Sequence, residues 1–384
     1  MVSPTATLLA LWGLTVTASC TSCKGINAIS AKCRSQETPY ARDAFYVGGQ
    51  DLAGASGTLT VNQIYVEKLQ PAGQIGSAKP IVFFHGGGVS AITWLNTPDG
   101  RPGWASHFIQ QGLTVYLVDA NSVGRSSPNN PTTFNLIPGT AAESLTNYFT
   151  DPTGYPQAGL HTQWPGTGRA GDPTFDQFKQ ALIPLTTNFV AQENAMRAAG
   201  CELLKLIGEK SYLISHSLGS RTPVLLSNDC PEYVAGNINL EAATSPFWAY
   251  AWTLGGFPSS PWGLTNTPVD YEPAVSSPSE LRTVSVGNET LAHRNCILQA
   301  EPARKLPKIA SVPYVMVTGE ASVHATYDHC VVYFLRQAGG DPEYIKLADL
   351  GIKGNGHFFH LKLNNLEIAD VVSGWINKTD NALA

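Results

Sequence analysis

Short apolar runs and segments of helical period alternate along this chain from about residue 58, a rhythm that predicts strands interleaved with helices. Residues 58–69 alternate apolar and polar positions like a half-buried antiparallel edge strand. Residues 80–84 form a continuous apolar run that ends in His85-Gly86-Gly87-Gly88. Residues 104–111 predict a helix, and 113–118 a strand ending at Asp119. A helix over 191–208, a strand over 212–214, a helix over 218–226 and a strand over 234–240 ending at Glu241 follow. Further on, residues 312–317 predict a strand leading into Thr318-Gly319-Glu320. A helix over 327–337, a strand over 344–347 and a closing helix over 365–376 complete the series. Continuous apolar strands alternating with helices imply an α/β architecture: a mainly parallel sheet covered on both faces.

Two stretches break the rhythm, residues 127–184 and 242–308, both rich in Pro, Gly, Asn, Thr and Trp. Long irregular segments inside a compact domain are usually functional. In a parallel sheet they would lie over the carboxyl ends of the strands, where ligands bind. They are therefore read as cap-like insertions in one domain spanning residues 20–384, with Trp164, Phe247, Trp248, Trp252 and Trp262 as candidates for an apolar pocket wall.

Composition narrows the class. Hydrophobic residues make up 43% of the 384 residues, enough for a large core, and 36 Gly with 26 Pro at that apolar fraction indicate ordered turns rather than disorder. A net charge of −5 with 14% charged residues, and no Lys/Arg run, argues against a nucleic-acid surface. Residues 6–16 form a short apolar run followed by Thr17, Ala18 and Ser19, the pattern of a secretory signal peptide over residues 1–19. No later stretch is apolar enough to cross a bilayer. In an oxidising compartment most of the seven cysteines would be in disulfides; Cys296 and Cys330 could pair, and the odd number implies either that Cys20 leaves with the leader, by cleavage just beyond Ser19, or that one thiol stays free. Sequons stand at Asn288 and Asn377, in keeping with a secreted glycoprotein, though at a frequency that chance also gives.

Chemistry gathers at the strand ends. Ser215-His216-Ser217-Leu218-Gly219, between a predicted strand and helix, resembles the G-x-S-x-G nucleophile elbow, with Ser in place of the first Gly. Such a turn lifts the Ser217 hydroxyl above the sheet and leaves the Leu218 amide facing the site. The glycine turn after residue 84 can offer backbone N–H groups to an oxyanion, Gly87 first and Gly88 next. His85 reads as a brace for that turn. A serine nucleophile needs a base held in one tautomer by an acid. Among nine histidines, His357 in Gly354-Asn355-Gly356-His357 lies in a loop after the last strand, with His360 as the fallback and His216 shaping the elbow. Two carboxylates end strands at the same edge, Glu241 and Glu320, and either could be the acid.

Thr93-Trp94, Thr97-Pro98-Asp99-Gly100-Arg101, Gly103-Trp104, Asp119, Gly124-Arg125-Ser126 and the C-terminal Asn364 to Asp370 accompany these motifs. Together they resemble a branch of secreted bacterial and fungal carboxylesterases within the α/β-hydrolase superfamily, over most of residues 58–377. The resemblance implies an α/β-hydrolase fold and an acid after the sixth strand, which selects Glu241 over Glu320. This sequence departs from the branch in carrying Gly87 and Gly88 where relatives can have cysteines, and Leu218 where a polar residue is frequent. The implied protein is a secreted serine carboxylesterase with Ser217, His357 and Glu241 as triad and the Gly87 and Leu218 amides as oxyanion hole. It would need no metal or organic cofactor and act on a small-molecule ester; a homodimer is also compatible. Lactone or amide hydrolysis, acyl transfer, a lyase or cyclisation step, or ligand binding without turnover would use the same residues. Dehalogenase or epoxide hydrolase chemistry would need Asp at the elbow, where Ser217 stands.

Overall fold

The computed structural model describes residues 23–383 apart from 74, 75, 77, 129–131 and 252, so the signal peptide, Cys20 and Trp252 lie outside the described residues. An eight-stranded sheet forms the centre: β1 (Tyr40–Gly54), β2 (Gly57–Pro71), β3 (Ile81–Phe84), β4 (Val115–Asp119), β5 (Ser211–Ser217), β6 (Val234–Ala242), β7 (Tyr314–Thr318) and β8 (Glu343–Lys346). Their spatial order is β1-β2-β4-β3-β5-β6-β7-β8, and only β2 runs against the others in this sheet.

Residues of each buried strand divide between two cores, because successive side chains point to opposite faces. Ile81, Phe83, Val115, Leu117, Tyr212 and Ile214 face α1 (Trp104–Gln110) and the closing helix. Val82, Phe84, Tyr116, Val118 and Leu213 face α2 (Phe189–Ile207). Further along that second face, Met316 meets α3 (Arg221–Asp229) and α4 (Asp328–Gln337). Trp94, Trp104, Phe83 and Phe108 are wholly buried in the first core. Each such side chain contributes about 1.5–3 kcal/mol or more of hydrophobic stabilisation. The closing helix, α5 (Asn365–Leu383), runs seven residues beyond its predicted end.

Three features differ from the sequence reading. Residues 58–69 are not an edge: Gly57–Pro71 pairs with β1 on one side and β4 on the other. The true edge strand, β1, was hidden because almost all its residues are exposed and its apolar alternation is weak. The helix after the elbow opens with a 3₁₀ turn, Leu218–Ser220, before α3 begins at Arg221. Disulfides join Cys296 to Cys330, as the spacing allowed, and also Cys23 to Cys33 and Cys201 to Cys230.

The two insertions differ in use. The first carries the helix Pro173–Gln180 and packs Trp164, Phe175 and Phe178 against Phe358 beside His357. The second buries Phe247 and Trp262 in the core around α3 and α4, while Trp248 is half-buried. Among the described residues no helix is long and apolar enough to cross a membrane.

Candidate active site

Parallel register brings the carboxyl ends of β3, β5, β6 and β7 together. Phe84 pairs with Ser215, Ser215 with Asn239 and Leu240 with Val317. Between His216 and Ser217 the register slips, so Ser217 pairs with Ala242, one residue beyond Glu241. Ser217 takes φ 51° and ψ −126°, and Glu241 φ 56°. Both are non-glycine residues in left-handed backbone, a conformation that costs on the order of 1–3 kcal/mol and is found mainly where geometry serves function. The elbow permits this because nothing larger than glycine fits beside it. A Cβ on Gly219 would lie 2.3 Å from the His85 carbonyl oxygen, and one on Gly86 2.6 Å from His216 Nδ1. Gly87 and Leu218 also adjoin, since a Cβ on Gly87 would fall 2.2 Å from Leu218 Cδ1.

His357 donates from Nδ1 to Glu241 Oε2 at 2.6 Å. Glu241 is fully buried and also accepts from the Gly319 amide at 2.8 Å and the Ser322 hydroxyl at 2.9 Å. Burial, then the Asp328 carboxylate, push the Glu241 carboxyl up, while the Gly319 and Ser322 donors oppose them. Burial, reinforced by the His324, His216 and His360 imidazoles, holds His357 well below the ordinary imidazole range. His357 is thus neutral at pH 7, and because Nδ1 is engaged with Glu241, Nε2 is the ring nitrogen left for another partner.

Glu320 has another task. Its Oε2 accepts from the Gly354 amide at 3.0 Å, which ties down the loop carrying His357. His360 is committed to the Thr93 hydroxyl at 2.9 Å and stacks on Trp94. His216 donates from Nε2 to the His357 carbonyl at 3.0 Å, and burial lowers its pKa to about 3. His85 donates from Nδ1 to the Gly86 carbonyl and accepts the Ala120 amide at Nε2, so both nitrogens brace the glycine turn.

The motifs that carry the family resemblance meet in space. Arg101 pairs with Asp99 and donates to the Lys362 and Leu363 carbonyls and to Asn365 Oδ1. Trp104 Nε1 donates to the Asn365 carbonyl. Asp119 accepts from the Ala91 amide and from the amide and Nε of Arg125, which fixes the segment after the glycine turn. Together these contacts brace the histidine loop and the turn against one sheet edge.

Near His357 lie four residues to which the sequence reading gave no role: His324, Asp328, Phe149 and Lys362. His324 lies parallel to the His357 ring at 4.3 Å with 1° between planes and bonds the buried Asp328 at 3.2 Å. Phe149, on a π-helical turn of the first insertion, covers His357 at 5.2 Å. Lys362 is wholly buried, donates to the Phe149 carbonyl at 3.0 Å and bonds His161 Nε2 at 2.6 Å. Burial pushes its ammonium well down. The i, i+4 spacing of His324 and Asp328 was a readable signal; the contacts of Phe149 and Lys362 span most of the chain and were not.

Two described clusters hold donors at metal-ligand separation. In Cys296, His329 and Cys330 both sulfurs are bonded to each other. In Glu241, His324 and His357 the donor atoms already serve the hydrogen bonds above. Neither set is free to take a cation without breaking those bonds.

The strand order, the strained serine at the end of β5 and the histidine loop beyond β8 define the α/β-hydrolase fold. No family model matches the chain. It is 40% identical over 336 residues, 87% of its length and 89% of the relative's, to a protein named probable secreted lipase phiG from Fungal sp. (strain ATCC 74256). At that identity and coverage, the chain belongs to the same α/β-hydrolase family as that protein. A structure described as a novel bacterial esterase, at atomic resolution, shares the fold with a TM-score of 0.60 at 19% identity, over 90% of this chain and 99% of that one.

Proposed function

We propose that this protein is a secreted serine hydrolase that cleaves carboxylic esters through an acyl-enzyme. The observation that carries the reading is the 2.6 Å bond from His357 Nδ1 to the buried Glu241 carboxylate, formed beside the strained Ser217 elbow. A neutral imidazole with its Nδ1 proton fixed has only Nε2 available to take a proton. In the proposed sequence, His357 Nε2 accepts the Ser217 hydroxyl proton as the oxygen attacks the ester carbonyl. The Gly87 and Leu218 amides receive the oxyanion, and Glu241 steadies the imidazolium. The imidazolium then protonates the departing alcohol. Water, deprotonated by the same nitrogen, releases the acid and restores Ser217.

Esterase or lipase activity agrees with the name of the fungal relative, and secretion agrees with that name and with three disulfides. The first nineteen residues are assigned as a leader on their sequence pattern, and the remainder as one domain whose insertions border the site. Fluorophosphonate labelling beside turnover of p-nitrophenyl butyrate tests the proposal. Labelling and turnover by the wild type, both lost in Ser217→Ala, support it. A wild type that neither labels nor turns over any ester refutes it.

A further inference from the structure

Beside the elbow a cleft is lined by Gly87 and Leu218, by the apolar Leu185, Phe189 and Met196, and by Arg221. Arg221 is only 8% exposed. Its Nε has no hydrogen-bond partner, and the nearest carboxylate oxygen, Glu193 Oε1, stands 3.8 Å away. Among the described residues its guanidinium makes no hydrogen bond; it lies over the Phe189 ring at 4.7 Å.

Glu193 is not available to complete the pair. Its two oxygens accept the amide and side-chain nitrogen of Asn266 and the amide and hydroxyl of Thr267. That carboxylate fastens the second insertion to α2. It offsets part of the charge on Arg221 and leaves the buried Nε without an acceptor. Buried donors without acceptors are costly, and burial accordingly lowers the basicity of this guanidinium. A planar fork of N–H groups in the wall of a largely apolar cleft fits a carboxylate, which it can bind with two parallel hydrogen bonds.

We propose that this cleft recognises a carboxylate on the substrate, so that the preferred ester is a half-ester of a dicarboxylic acid. The apolar chain would lie along Leu185, Phe189 and Met196, with its free carboxylate on Arg221. Because Gly87 and Leu218 line the same cleft, a chain there continues directly from the carbonyl that their amides would hold. The inference rests on the proposed esterase reading and names the substrate class of that site.

The test compares mono-p-nitrophenyl esters of succinate, adipate and suberate with the same compounds methylated at the free carboxyl. At least one half-ester should exceed its methyl ester in kcat/KM by about tenfold or more, the scale of a charge-assisted pair. The ratio should fall towards one in Arg221→Met and keep part of its value in Arg221→Lys. Leu185→Glu, at a half-buried position, places a second carboxylate in the cleft and should lower the ratio even if Arg221→Met fails to fold. A wild type that prefers every methyl ester or shows no preference overturns the inference, as does a preference that survives in Arg221→Met. Calorimetric titration with monomethyl adipate separates this from failure of the esterase reading. In an enzyme that does not label with fluorophosphonate, binding lost in Arg221→Met still supports the cleft assignment, and absence of binding by wild type overturns it.

Discussion

Exchanging Glu241 for glutamine changes one atom and removes the charge opposite His357. In the wild type Oε1 receives the Gly319 amide, and Oε2 receives both Ser322 and His357. An NH₂ group placed at Oε1 would face the Gly319 N–H, leaving two buried donors opposed at a cost of about 1–3 kcal/mol. Placed at Oε2 it would donate to His357, which must then carry its proton on Nε2 and can no longer act as base. Glu241→Gln should therefore reduce kcat for p-nitrophenyl butyrate by about 10⁴-fold, the scale seen when a catalytic histidine is held in the wrong tautomer. That is about 5 kcal/mol of transition-state stabilisation. Glu320→Gln keeps an oxygen acceptor for Gly354 and should leave kcat within about threefold, a change under 1 kcal/mol. Melting curves and circular dichroism would show that both variants fold. If Glu320→Gln is crippling and Glu241→Gln nearly silent, the assignment of the acid is wrong.

Four further outcomes follow from the same structure. Because burial depresses His357, the acid limb of kcat/KM should lie below pH 6.5, and the profile should be flat from pH 7 down to that point. His161 and His216 are held near 3 against 6.5 when unfolded, so the unfolded chain gains protons first; the melting temperature should be level above about pH 6.5 and fall as pH drops towards 3. Lys362→Met should lower kcat about tenfold, or about 1.4 kcal/mol, with KM unchanged, because the Phe149 carbonyl loses its donor and the ring over His357 loosens; equal losses in KM would refute a positioning role. Gly219→Ala should abolish labelling and lower the melting temperature, since its Cβ meets backbone 2.3 Å away; normal labelling would show that the turn has more room than this.

The sheet and its site were legible to different depths. β3, β4 and β7 announced themselves because strands buried on both faces are written in continuous apolar residues, β6 showed despite Asn237 and Asn239, and exposed β1 left almost no trace. The elbow and the glycine turn were readable because the roles proposed for both reside in backbone geometry that only small residues permit. Position along the chain left both Glu241 and Glu320 open, with Glu320 at the more usual strand end, and only the family resemblance favoured Glu241. A physical ground for choosing between them is which one faces His357, a contact between positions 116 residues apart. Phe149 and Lys362 belong to the same category: a buried lysine looks like any surface lysine until its neighbours are known.

The contrast between Glu241 and Glu320 also bears on how such chains are compared. Two carboxylates stand at neighbouring strand ends; one orients the imidazole, and the other is a mooring for the loop that carries it. Position at a strand end alone would not tell the orienting carboxylate from the mooring. Across relatives, the acid is therefore to be traced through the hydrogen bond it makes to the histidine, since here two carboxylates share one kind of address and differ in occupation.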